Sequence, residues 1–427
     1  MQSQSLFVIG GKMRYRRQDP YKTCPFSGVK MMIGENRPHI RPLEAFPAVA
    51  QGGQPVVIFR DPLGIFRETL LLNPQTAHLV ALMDGSRTIE DLRMGFFRAF
   101  GVLPGMGELD QLVADLESKG LLFGQTFDIL AGEKVSAILK TGVRSAAHAG
   151  NAYPDSKEAL ESFLEPFLPG GRFLPDFPDL IVAPHLDLSL AVPAYSAAYD
   201  GLPSVEDLTV VLLGVAHQGL SQPLALCPLP FETPLGRTPL NEEAAKLWIE
   251  KTGHGEDMDL LAHTAEHSIE FQLLFLQKLF GADSFRILPF LVSLDPSGDL
   301  PDDAYFEMIK DFFLQLREET TVRFVAGIDL SHVGPRYGDP EPVSDSFMAE
   351  IERGDRDFLR ACCEGNRLEM VSFLSEKGEK HRICGAGVLY LLSRIGFERI
   401  TVKEYHVGWM KEVGSAVSCA ALHGFLA

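Results

Sequence analysis

Residues 179–187 run Asp179-Leu180-Ile181-Val182-Ala183-Pro184-His185-Leu186-Asp187. Four consecutive apolar residues closed by proline are too short for a buried helix. They fit a strand covered on both faces. The same arrangement recurs twice. Leu208–Leu213 runs into Gly214-Val215-Ala216-His217, and Val322–Gly327 runs into Ile328-Asp329-Leu330-Ser331-His332. Phe285–Val292 is a fourth apolar strand, and helical stretches at Asn241–Glu250 and Glu266–Leu279 lie between the strands. Near-continuous apolar strands alternating with amphipathic helices predict an α/β domain, a mainly parallel sheet with helices on both faces. Three of these strands deliver a histidine just past the carboxyl end, where sheets of this kind border a ligand crevice. Histidine is also the commonest metal ligand near neutral pH. One histidine after one strand is ordinary loop chemistry, whereas three in equivalent positions point to a shared site.

Two helix starts add candidates. His267 and Glu270 lie three apart in Thr264-Ala265-Glu266-His267-Ser268-Ile269-Glu270 and share a helix face. Their bland alternative is a surface pair, or an acid placed by the helix dipole. Cys384, in Arg382-Ile383-Cys384-Gly385-Ala386-Gly387, precedes an apolar helix whose aligned amides stabilise a thiolate. A free cysteine on its own is more often an inert core residue.

Outside these motifs the chain reads as a soluble globular protein of 427 residues, 46% hydrophobic and 22% charged. Its length predicts two or three domains. The longest apolar run, Leu208–Leu213, is far short of the roughly 20 residues that span a bilayer. Residues 1–17 lack the pattern of a secretory signal, so a cytoplasmic protein is expected. A net charge of −18 argues against nucleic acid as a partner. Six cysteines without regular spacing argue against a disulfide framework. Residues 1–40 hold seven Lys/Arg against Asp19 and Glu35, net +5, and read as a loosely draped arm. Residues 41–131 form a small domain. Strands at Pro55–Arg60 and Phe66–Leu72 flank a turn, and helices start at Asn73-Pro74 and at Thr88. A third helix carries the stripe Leu109, Leu112, Val113 and Leu116, and Leu121–Phe123 is the expected wing strand. Gly132–Gly150 reads as a linker, and the larger domain spans 148–427.

The N-terminal segments "LMDGSRTIEDL" and "LVADLESKGLL" give residues 41–131 an α+β, winged-helix-like layout similar to PqqD-like modules. That resemblance implies a peptide-binding module that partners a radical SAM protein. A structural appendage without a ligand is the plain alternative. DNA-binding winged helices look alike, but residues 41–130 carry seven basic and eleven acidic groups, net −4.

The larger domain contains, in order, "HAGNAYP", "APHLD", "LLGVAHQG", "TPLG", "EHSIEFQLLFLQ", "ILPFLV", "GIDLSH", "ICGAGVLYLL" and "VSCAALHGFL". This ordered set resembles the MEMO family, including the AmmeMemoRadiSam system protein B group, over about His148 to Ala427. The resemblance implies a fold like class III extradiol dioxygenases, with a metal held by the residues matching His185, His217 and Cys384. It places Asp329 and His332 beside the metal and His267 in a catalytic position. It also implies a radical SAM protein and an AMMECR1-like protein as partners. Leu186-Asp187 replaces the family's Ala-Gly, Val215-Ala216 replaces Pro-Ser, Gln218 replaces a histidine, and the opening tryptophan is replaced around Asn151–Tyr153. These changes bear on substrate more than on metal. Asp187 adds a carboxylate that offers a ligand, a base or a counter-charge.

Two imidazoles and a thiolate suit Fe(II), zinc or copper, and the dioxygenase-like frame that the resemblance implies favours iron. Three ligands leave open positions for water, oxygen or substrate. An iron-dependent oxidoreductase acting on a small or peptide-borne substrate is the first expectation. A non-catalytic metal-binding partner protein and a metal hydrolase are the alternatives. Cys227 and Cys419 read as core, and Cys362-Cys363 as residues at a helix start. His381 and His423 read as surface or helix-end residues, while His254, His263 and His406 have no identifiable partner.

Overall fold

The computed structural model describes residues 37–426 apart from 51, 171–173 and 255–257. Positions 1–36 of the expected arm lie outside the described residues. Its described end, His39 and Ile40, makes bridges to Asp84 and Leu122, and Ile40 is buried. The chain divides into two compact units, residues 1–137 with 335–340, and residues 138–334 with 341–427.

In the first unit, β1 (Glu44–Val49), β2 (Pro55–Arg60) and β3 (Leu70–Leu72) form an antiparallel sheet. Four helices follow: α1 (Pro74–Ala81), α2 (Ile89–Phe100), α3 (Met106–Ser118) and α4 (Gln125–Thr141). Asn73 caps α1, and Thr88 with Asp91 makes a reciprocal capping box on α2. Leu109, Val113 and Leu116 of α3 enter the same core as Phe59, Val80, Met83 and Leu92. The buried Arg41–Asp61 ion pair is satisfied further by Gly120 O and by the amides of Leu63, Ile65 and Phe66.

The second unit is built around an eight-stranded sheet. Its first half contributes α5 (Lys157–Leu164), β4 (Leu180–Ala183), α6 (Val192–Tyr199), β5 (Leu208–Val215), β6 (Leu224–Leu226), β7 (Phe231–Thr233), β8 (Gly236–Thr238), α7 (Glu242–Thr252), α8 (Leu260–Thr264) and α9 (His267–Phe280). Its second half contributes β9 (Arg286–Val292), α10 (Asp303–Glu319), β10 (Thr321–Gly327), β11 (His332–Val333), α11 (Asp345–Cys363), α12 (Arg367–His381), α13 (Ala386–Ile395), β12 (Phe397–Met410) and β13 (Ser415–Leu426). The order is β11-β13-β4-β10-β5-β9-β6, with β12 pairing β13 and β7-β8 a separate ribbon. Strands β4, β10, β5 and β9 run parallel, β13 and β6 pair antiparallel with the outer two of them, and β11 and β12 pair antiparallel with β13.

Alternation along the strands assigns the helices to faces. Leu180, Val182, Val211, Leu213, Phe324 and Ala326 point into the cluster formed with α7, α10, α11, α12 and α13. Gly214 and Gly327, of opposite parity, face α9. A Cβ on Gly327 would lie 2.0 Å from Ser268 O, and one on Gly214 would lie 2.5 Å from Ser268 Oγ. Glycine at these two positions therefore lets the start of α9 settle onto the ends of β5 and β10.

Four expectations are corrected. The linker at 132–150 begins as helix, because Phe127, Ala131 and Val135 make a buried stripe through α4, which stops only at Thr141-Gly142. The wing at Leu121–Phe123 reduces to the single Ile40–Leu122 bridge. Cys362-Cys363 close α11 rather than start a helix, since Phe358, Leu359, Ala361 and Cys362 are its buried face and Gly365 follows in the left-handed region. His423 is a buried residue of β13 whose Nε2 bonds Ala198 O. Among the described residues no helix is long and apolar enough to cross a membrane.

Candidate metal centre

Strand tips and helix starts meet at one point. His185 lies two residues past β4, His217 two past β5, and Asp329 two past β10. His267 opens α9, and Cys384 stands two residues before α13. The rings of His185, His217 and His267 are mutually 5.0 Å apart between centroids. One nitrogen of each lies within 4.8 Å of one nitrogen of the others. Sγ of Cys384 is 3.4 Å from His185 Nε2, and Cys384 is among the groups that raise the His217 pKa. His185 is buried, while His217, His267 and Cys384 are partly open.

The outward nitrogens of His185 and His217 are anchored. Nδ1 of His185 bonds Gly327 O at 3.0 Å. Nδ1 of His217 lies 2.9 and 3.0 Å from the two oxygens of Glu266. Nδ1 of His267 lies 3.3 Å from Glu266 Oε1. A carbonyl and an ionised carboxylate only accept, so the anchored nitrogens of His185 and His217 carry the protons. Their Nε2 atoms are the ones left for the centre.

Burial disfavours charge on His185, but the Asp329 carboxylate and the Cys384 thiolate outweigh it and push its pKa up to about 10. Burial likewise opposes charge on His217, and Glu266 overcomes it, so its pKa rises. His267 goes the other way. Burial holds it well below the ordinary imidazole range despite Glu266, helped by the charges on His217 and His185. Burial raises the Cys384 thiol, but the imidazoles of His185 and His332 reverse this and hold it well below an ordinary thiol. Asp329 is raised by burial against the pull of His185.

Asp329 joins the strand tips. Its Oδ1 accepts from the amides of His185 and Leu186, Oδ2 is 3.5 Å from His185 Nε2, and its carbonyl accepts from Gly385 N. His332 lies close enough to pull the Asp329 and Cys384 pKa values down, its Nδ1 bonds Leu330 O, and its carbonyl accepts from Arg382. Arg382 has φ +52°, a left-handed residue that turns the chain from α12 into Cys384.

Spacing pointed to Glu270, whereas the fold brings Glu266 to the histidines. Glu270 does not pair with His267. It bonds Arg144, Tyr153 and the amides of Ala147 and His148, clamping the segment before α5. Glu266 caps α9 through the amides of His267 and Ser268. An acid directly before an apolar helix is the sequence signal that would have marked it. Asp187 is turned to solvent and bonds Ser189 N and Oγ, capping a 3-10 turn, so it is not among the converging groups. His263 and His406 do have partners, the carbonyls of Ala225 and Leu190.

A family model described as "Memo-like protein" matches residues 144–423. The chain belongs to the Memo-like family. A MEMO1 family protein of Aquifex aeolicus is 31% identical over 374 residues, 86% of this chain and 95% of that protein. One of Thermus thermophilus is 31% identical over 319 residues, covering 74% and 92%. One of Pyrococcus furiosus is 34% identical over 264 residues, covering 57% and 84%. In this Memo-like chain every converging residue lies inside the matched segment. The match leaves residues 1–143 outside, while the Aquifex relative aligns over more of the chain than the family model does.

Proposed function

We propose that this Memo-like protein is an iron-dependent oxidoreductase that binds Fe(II) through His185, His217 and Cys384 and acts on a small or peptide-borne substrate. The observation that carries the proposal is the tethering of two imidazoles by their Nδ1 atoms, which leaves both Nε2 atoms untethered, that of His185 3.4 Å from the Cys384 sulfur. Metal-binding histidines characteristically donate their second nitrogen in this way. The donor set fits the ion: neutral imidazole and thiolate suit divalent first-row metals. The depressed Cys384 thiol supports the anionic sulfur that a ligand must provide.

A bound ferrous ion supplies redox chemistry and positions for small ligands. The remaining groups do protein chemistry around it. Asp329 holds the His185 backbone through Oδ1 and keeps Oδ2 beside Nε2, where its raised proton affinity suits proton transfer. His267, kept neutral by burial, is a proton acceptor beside the ligands. His332 stands at the same edge as a second acid–base group. The third imidazole also favours a second reading, a zinc hydrolase, because three histidines are a donor set that catalytic zinc uses.

The test is metal analysis of protein purified without oxygen. One iron per chain in the wild type, lost in His185→Ala, is the expected result. Equal metal in the two proteins overturns the site, and stoichiometric zinc with oxygen-insensitive hydrolysis selects the second reading.

A further inference from the structure

We infer that Glu266 is a positioning residue shared by two imidazoles, setting the orientation of both His217 and His267 toward the ion. The inference rests on the metal-site reading above and extends it from the ligands to the group that aims them.

Glu266 is almost fully buried, at 3% exposure, and both its oxygens are taken up by the residues around it. Its two oxygens divide the work. Oε1 accepts from the amides of His267 and Ser268, each at 3.0 Å, and lies 2.9 Å from His217 Nδ1. Oε2 accepts from the His217 amide at 3.2 Å and lies 3.0 Å from the same Nδ1. His267 Nδ1 is 3.3 Å from Oε1. One carboxylate thus holds the backbone and ring of His217 and the backbone of His267, and stands beside the ring of His267. The two rings lie 17° from parallel.

His185 is held differently. Its Nδ1 goes to the Gly327 carbonyl, a neutral acceptor fixed by the β10 backbone. The centre therefore has one imidazole aimed by the sheet and two aimed by a single side chain. A charged acceptor also makes an imidazole a stronger donor to metal than a neutral one does. Loss of Glu266 would free two ligands-side groups while leaving His185 and Cys384 in place.

Glu266 also caps α9, so the test must separate capping from aiming. Glu266→Ser does this. Serine is a good N-cap and retains the bond to the first turn, but it is too short to reach His217. The readouts are Co(II) affinity and the visible spectrum of the Co(II) protein, with thermal unfolding of the metal-free protein as the control. The expected result is an unfolding temperature near wild type, Co(II) affinity lower by about 10–100-fold, and a changed ligand-field spectrum. The protected imidazole Nδ1–H signal of His217 should vanish in the NMR spectrum while that of His185 persists. Glu266→Gln, isosteric but uncharged, should fall between the two and serves if the serine protein does not fold. Wild-type affinity, spectrum and His217 signal in either folded variant overturn the inference. A wild type that takes up no Co(II) instead overturns the metal-site reading, and the two failures are thereby told apart.

Discussion

Sγ of Cys384 lies 3.4 Å from Nε2 of His185, although 199 residues separate them in the chain. The pair forms because the β4 tip and the turn before α13 are both tied to Asp329, one through its carboxylate and the other through its carbonyl. A thiol beside a charged imidazole becomes a thiolate, and its reactivity follows.

In metal-free protein lacking Cys24, iodoacetamide should therefore modify Cys384 first. Burial raises Cys227, Cys362, Cys363 and Cys419 above the ordinary thiol range, whereas the imidazoles hold Cys384 below it. The rate should stay high at neutral pH and fall only when pH drops below the depressed value. Peptide mapping that finds Cys363 labelled ahead of Cys384 would count against the pair.

Breaking the Arg144–Glu270 pair should destabilise the second unit. Both side chains are buried, and Glu270→Gln leaves the guanidinium without its counter-ion, a loss of about 3–5 kcal/mol. Burial raises Glu270, but Arg144 and the bonds from Tyr153 and Ala147 bring its pKa below the ordinary carboxylate value. Its contribution is present above the unfolded carboxylate pKa and disappears as pH falls through the folded one. Urea titrations from neutral pH downward should show wild type and variant converging at the acid end. Curves separated by a constant amount at every pH would refute the assignment.

Gly327→Ala should disturb the centre without touching a donor. The added Cβ would meet Ser268 O at 2.0 Å, pushing the first turn of α9 away from β10. A stability loss of about 1–3 kcal/mol is expected, together with weaker metal uptake. Gly107→Ala in α3 is the control, since its Cβ meets nothing within 4 Å and alanine favours helix. Calorimetry showing both substitutions neutral would mean that the close approach is not needed.

Asp187→Ala should leave metal content unchanged. The side chain is exposed and accepts hydrogen bonds from Ser189, so its removal affects a surface turn. A drop in bound iron by elemental analysis would return Asp187 to the centre.

The central strands, their carboxyl-end histidines and the helix starts at Asn73, Thr88, Asn241 and Glu266 were all legible in the sequence, because burial on both faces and capping chemistry leave local patterns. The antiparallel edge was less so. β12 and β13 are long, and their pairing with β4 is a contact between distant segments that no period announces. The same holds for α4, whose helix runs through a stretch that composition alone makes look like a linker.

Local order along the chain determined which residues stand at the strand tips: His185, His217, Asp329 and His332 follow their strands by a fixed few residues whatever the rest of the molecule does. Only the tertiary structure decided how those tips are joined. It set Glu266 under two rings, sent Glu270 away from His267 to Arg144, and turned Asp187 outward. Periodicity records which side of an element is buried, while a carboxylate's partner depends on which donors the fold brings within about 3 Å of it, and that distance is set by packing between segments far apart in sequence.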